Sequence, residues 1–184
     1  MLALVTYTFF FQMTTKCSDP PYCSNVERIA FEDMVINVPE QGPVKLKDGK
    51  GYTPHVVLEG KDFGSDWEVT IEGDIVLTPA PGVTFRLINL HANHITGTGG
   101  WGYALMYACK EGRLRRILQS IGHLYGVDIK KIDDQHFTIR YGVYLKNDAN
   151  CCPSMQSTDT YAWFESDGLF KKTKGEVEPW KEEE

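Results

Sequence analysis

The sequence predicts a single, mainly β domain with a mostly antiparallel sheet and at most one or two helices; an α+β arrangement is the variant left open. Three observations lead there. The stretch His136–Leu145 puts Phe137, Ile139, Tyr141, Val143 and Leu145 on one face. Such alternation marks a half-buried strand, and half-buried strands belong to antiparallel sheets. Shorter alternating runs recur along the chain, punctuated by Asp48-Gly49, Gly73-Asp74, Glu111-Gly112 and Asp167-Gly168, the turn chemistry of hairpins. Finally, 17 glycines and 9 prolines favour a turn-rich chain over a helical bundle.

Taken in order, Ile29–Phe31 and Met34–Val38 read as strand, ended by Pro39–Gly42. Val44–Lys47 alternates and stops at Asp48-Gly49, and His55–Leu58 is a short strand candidate. Trp67–Glu72 alternates until it meets Gly73-Asp74, Pro79–Gly82 is a loop, and Val83–Leu90 follows as strand. The glycine-rich Gly97–Gly100 leads into an apolar strand, Trp101–Cys109. Leu114, Ile117, Leu118, Ile121, Leu124 and Tyr125 fall at helical spacing, with Gly126 as a stop, so 114–125 is the one helix candidate. Gly122 interrupts it, and a strand reading stays open. Val127–Lys130 is strand up to the Asp133-Asp134 turn, and Tyr161–Phe164 pairs with Leu169-Phe170 across Asp167-Gly168.

A chain of 184 residues with 42% hydrophobic and 24% charged residues is one globular domain with a sizeable core. The expected division is 1–25 as an export-signal-like or tether segment, 26–175 as the domain, and 176–184 as an acidic tail carrying Glu176, Glu178 and Glu182 to Glu184. The first eleven residues are apolar, resemble the core of an export signal, and are too short to span a bilayer. A buried first strand is the competing reading. A net charge of −6 gives no basic footprint and argues against nucleic acid as a partner.

The five cysteines are Cys17, Cys23, Cys109, Cys151 and Cys152. Without a CxxC or a Cys/His cluster at zinc spacing, they read as crosslinks of an exported protein. Cys151 and Cys152 are adjacent, so an extended chain turns them to opposite faces and one must find a partner elsewhere. Cys109 with Cys152 or Cys151 is the preferred pair. It would close a loop of roughly 40 residues and stabilise by about 3–4 kcal/mol in the chain-entropy treatment. A vicinal Cys151–Cys152 bond and pairing with Cys23 are the alternatives, and Cys17–Cys23, which encloses two prolines, would also suit a small disulfide loop.

Several pieces recur in an order that resembles a family of mostly bacterial secreted and lipoprotein domains that includes the LppP/LprE lipoproteins. They are Val44–Gly49, Gly73-Asp74, Gly97–Gly100 with the apolar strand after it, Val127 through Tyr141, Asp148-Ala-Asn-Cys-Cys-Pro-Ser154, and Thr160–Trp163. The resemblance spans about residues 28–171. It implies export, a small mixed β domain and a disulfide, and it implies no established reaction. Members often carry an acidic Gly-Asp-x-x-Gly-Asp-Gly loop. Here Gly73–Pro79 stands instead, with too few oxygen donors for calcium.

No catalytic motif and no cofactor is expected. His91 and His94 are weak metal candidates, because residues three apart on a strand face opposite ways and no third ligand is evident. Gly97–Gly100 lacks the lysine and following helix of a phosphate loop, and Ser154 and Ser157 lack a nucleophile elbow. Asp66 and Glu68, and likewise Glu72 and Asp74, would each share a face by alternation. Trp101, Tyr103, Tyr144 and Trp163 are candidates for an exposed recognition surface. The best expectation is a secreted or periplasmic (cell-envelope) binding module, its partner an unknown protein or envelope ligand, touching membrane only through an N-terminal anchor. The rivals are a hydrolase-type enzyme using the 66–74 carboxylates or His91/His94, and an inhibitor of a secreted enzyme that presents residues 147–159 as a loop.

Overall fold

In the computed structural model, residues 23–39, 41–53, 57–58, 61–62, 67–95, 99–119, 125–149 and 152–180 are described. The strands are β1 Val35–Val38, β2 Gly42–Lys47, β3 Lys50–Tyr52, β4 Val57–Leu58, β5 Lys61–Asp62, β6 Trp67–Ala80, β7 Val83–His94, β8 Gly100–Lys110, β9 Arg113–Gln119, β10 Tyr125–Asp133, β11 His136–Val143, β12 Met155–Phe164 and β13 Leu169–Pro179. Among the described residues helix is limited to two short 3-10 turns, Val26–Arg28 and Phe31–Asp33. The second takes in part of the first expected strand.

Among the described residues every strand pairing is antiparallel, as the alternation predicted. One sheet runs β1-β2-β3-β6-β7-β8-β9, a second runs β10-β11-β12-β13, and β4-β5 form a small ribbon. Local turn chemistry sets several registers. Asp48 and Gly49 both take positive φ, as do Glu111 and Gly112. A two-residue hairpin with positive φ at both positions matches the strand twist, and these turns pair Lys47 with Lys50 and Lys110 with Arg113.

The central strands β7 and β8 are buried on both faces. Ile88, Leu90, Ala92, Tyr103 and Leu105 turn to a first core completed by Phe31, Ile36, Val38, Val44 and Leu46. The sheet curls to allow this, since β1 and β2 belong to it and also cover it. The opposite side chains Phe85, Leu87, Ala104 and Met106 meet Val127, Phe137, Ile139 and Phe170 of the second sheet in a second core. Polar ties fix the layers at one end. Asp134 accepts from the Thr78 amide at 3.1 Å, Lys131 Nζ donates to the Val76 carbonyl at 2.9 Å, and Gln135 donates to the Pro79 carbonyl at 3.2 Å.

Two β-bulges explain where sequence reading and structure part. Residues 114–119 of the helix candidate belong to β9, Arg113–Gln119. Met106 pairs with Leu118 and Tyr107 with Arg116, so Ile117 is an extra residue. The bulge turns Leu114 to the first core and Ile117 and Leu118 to the second. Apolar residues at 114, 117 and 118 therefore imitate helical spacing. In β6, Ile71 pairs with Leu90 and Gly73 with Asn89, leaving Glu72 extra. Gly73-Asp74 is not a turn, and β6 runs straight through it. Trp67, Val69 and Ile71 face the first core, whereas Ile75 and Leu77 face the second.

The domain edges also differ from expectation. Cys23 and Asn25, read as leader, are part of the folded body, and Glu176–Pro179, read as tail, extend β13 against Met155–Thr158. Residues 1–22 and 181–184 lie outside the described residues.

Candidate functional site

The crosslink of Cys109 follows the alternative of pairing with Cys23 and not the preferred pair. Cys109 bonds Cys23, their Cα atoms 5.3 Å apart, so Cys109 is not the partner of Cys151 or Cys152 and Cys23 does not close a small loop with Cys17. The Cys23 amide also donates to the Gly112 carbonyl at 2.9 Å, so the N-terminal segment docks on the β8–β9 hairpin. Cys152 is disulfide-bonded as well. Cys17 and Cys151 lie outside the described residues.

The two histidines do not converge. His94 meets the Trp67 ring edge-on at 5.0 Å, beside the first core. His91 lies on the opposite face, its Nδ1 3.1 Å from Glu72 Oε1. No group of three or more metal-ligating side chains occurs among the described residues. The carboxylates also divide differently from simple alternation. The β6 bulge leaves Glu72 beside His91, but sends Asp74 through the sheet to Arg86 Nε at 2.5 Å. Arg86 also donates to the Ile29 carbonyl at 2.7 Å, which is a structural role. Asp66 lies outside the described residues.

What remains is a polar strip beside the second core. Glu68 lies opposite Asn93, and Thr70 opposite His91. Glu68 accepts from the Tyr52 hydroxyl at 3.1 Å, and this hydrogen bond raises the phenol's pKa above the ordinary tyrosine value. A Cβ on Gly100 would sit 2.8 Å from both His91 Nε2 and Asn93 Oδ1, so these side chains lean across β8 at a residue that leaves them room. The strip orients an imidazole against a carboxylate on an open surface.

The predicted recognition surface is largely core. Tyr103 is 2% exposed, and Trp163 packs against Phe85 and Phe170. Trp101 lies 6.1 Å from the Trp67 ring against the first core. Only Tyr144 is on the surface, at 39% exposed.

Tyr144 belongs to a different aromatic group. Tyr125, at the start of β10, meets Tyr144 edge-on at 6.3 Å and Trp180 at 6.1 Å. Trp180 follows β13, anchored by its amide to the Ser154 carbonyl at 2.9 Å. Its ring lies over two glycines. A Cβ on Gly126 would come within 3.1 Å of it, and one on Gly142 within 3.2 Å, the latter also 2.5 Å from Pro153 Cγ. Leu145, the next residue in the chain after Tyr144, is 52% exposed.

The segment around the adjacent cysteines supports this group. Asp148 accepts from the Leu145 amide at 2.7 Å, the Ser154 amide at 2.8 Å and the Ser154 hydroxyl at 3.0 Å. These bonds pull its pKa below the ordinary aspartate value, the Leu145 amide contributing most. Asp148 and Ser154 thus close a loop that seats Pro153 beneath Trp180. Of the expected inhibitory loop 147–159, Met155–Asp159 are strand β12.

Reading the sequence missed Trp180 and Tyr125, one assigned to a charged tail and the other to a helix end. A signal was present in Gly142, which interrupts the cleanest alternating strand, since a glycine inside a strand marks close approach by another group. The chain matches no family model, no curated protein and no solved structure.

Proposed function

We propose that this chain is an exported, non-enzymatic binding module of the cell envelope or the secreted fraction, and that Tyr125, Tyr144 and Trp180 form its contact surface. The observation that carries the reading is the half-exposed Trp180 ring laid across Gly126 and Gly142 and held by a loop that Asp148 closes. Aromatic rings fixed in this way give contact area with little entropy left to lose on binding. The Cys23–Cys109 bond supports an oxidising compartment. Kinship with LppP/LprE-like exported domains is part of the same proposal.

The test is co-sedimentation of the purified domain with peptidoglycan, envelope polysaccharide and membrane fractions, read alongside tryptophan fluorescence. Trp180→Ala with Tyr144→Ala is expected to weaken binding by about tenfold or more, as loss of a buried aromatic anchor does. Undiminished binding by that double variant defeats the assignment of the patch.

A second reading, hydrolysis at the strip, rests on the Glu72–His91 contact. It predicts turnover of ester or glycoside substrates that Glu72→Gln abolishes, whereas the binding reading predicts that Glu72→Gln changes nothing. In the inhibitor reading the patch and its loop dock on an enzyme, and the same double variant relieves inhibition.

A further inference from the structure

The strongest unassigned feature is the outer strand β13. Among the described residues it is the last strand of its sheet, with β12 on one side and no strand on the other. It runs 11 residues, and between Lys171 and Val177 every one is exposed. An exposed edge of this length is a template for another strand. Its charges are sorted, with Lys171, Lys172 and Lys174 in the first half, Glu176 and Glu178 in the second, and Gly175 between.

The bulge in β13 makes the sorting sharper. Thr160 pairs with Lys174 and Tyr161 with Lys172, so Thr173 is the extra residue. Lys171, Lys174, Glu176 and Glu178 lie opposite Ala162, Thr160, Thr158 and Gln156, alternate residues of β12. All four therefore share one face, turned away from the core that Phe170 and Trp163 enter. Glu178 accepts from Gln156 on that face at 2.8 Å, and Lys174 pairs with Glu176 there at 2.5 Å.

We infer that β13 pairs with β13 of a second copy of this chain, antiparallel, about a two-fold axis at Gly175. In that register Lys174 faces Glu176 of the second copy. With Thr173 as the extra residue, Lys171 faces Glu178. The two-fold repeats both pairs, and the two four-stranded sheets become one of eight strands. A parallel pairing would set lysine against lysine, and an antiparallel axis moved toward either half would oppose like charges, which is unfavourable directly across a ladder. Lysines usually blunt an edge against self-association; here that protection fails for one register only.

Lys174 and Glu176 already pair within each strand, so association exchanges these contacts more than it adds to them. The charges choose the register, and the main-chain ladder with burial of Val177, 59% exposed, supplies the attraction. Pro179 has no N–H to donate and ends the ladder.

The test is sedimentation velocity of the full domain over a concentration series, with thermal unfolding to show that each variant folds. The wild type is expected to dimerise. Lys174→Glu and Glu176→Lys are each expected to weaken the dimer by about tenfold or more, since each sets like charges across the axis twice. An equimolar mixture of the two variants is expected to recover association as a heterodimer, one acidic strand against one basic strand. A wild type that stays monomeric overturns the proposal. So does a dimer that ignores both single variants, or a mixture that fails to recover association.

Discussion

Cys23 and Cys109 are joined across a sequence separation of 86, their Cα atoms 5.3 Å apart. Closing a loop of that length removes much of the freedom of the unfolded chain, about 4–5 kcal/mol in the chain-entropy treatment. Cys23→Ala combined with Cys109→Ala is expected to lower the unfolding free energy by that order in urea titrations, and reductant should act in the same direction on the wild type. A loss near zero would show that the bond does not restrict the unfolded chain in this way.

The sequence carried the fold class because alternation is a local signal. Phe137, Ile139 and Tyr141 announce one buried face without reference to any neighbour. It left the crosslink open between partners, because Cys109 chooses Cys23 by a contact far along the chain. Nor did it carry the two bulges. A single extra residue such as Glu72 or Ile117 reverses every side chain after it, and only the partner strand shows that it is extra. Trp180 stayed hidden because charged neighbours on an edge strand look the same as a frayed tail.

Asp148 offers a pH test. Its pKa is depressed in the folded protein by the Leu145 and Ser154 amides. A depressed carboxyl contributes stability above its unfolded pKa and loses it as pH falls through the folded one. Asp148→Asn is therefore expected to melt below wild type at neutral pH, and the gap should close on acidification below the ordinary aspartate value of about 3.9. Parallel melting curves down to acid would show that the carboxylate does not hold this loop.

Gly142 tests the platform under Trp180. A methyl group there meets Pro153 Cγ at 2.5 Å and the Trp180 ring at 3.2 Å. Overpacking of this kind costs about 1–3 kcal/mol where the surroundings do not yield. Gly142→Ala is expected to shift tryptophan emission and near-ultraviolet circular dichroism as the ring is lifted, with a lower melting temperature. Spectra identical to wild type would place the Trp180 ring elsewhere.

Asp159 is a buried carboxylate, 5% exposed, that accepts from Tyr141 at 3.2 Å and from Ser157 at 3.2 Å and pairs with Lys172 at 2.7 Å. Asp159→Ala strands those donors, and removing one partner from buried polar groups costs about 1–3 kcal/mol. A spectroscopic consequence separates this network from simple packing. Tyr161 has a raised pKa, chiefly from burial and next from the Asp159 charge. Asp159→Asn keeps the shape and removes the charge, so it should lower the Tyr161 pKa part of the way toward the ordinary tyrosine value. Alkaline titration followed by tyrosinate absorbance, with Tyr161→Phe to assign the transition, reads this directly. An unmoved transition would show that the Asp159 charge does not reach the phenol.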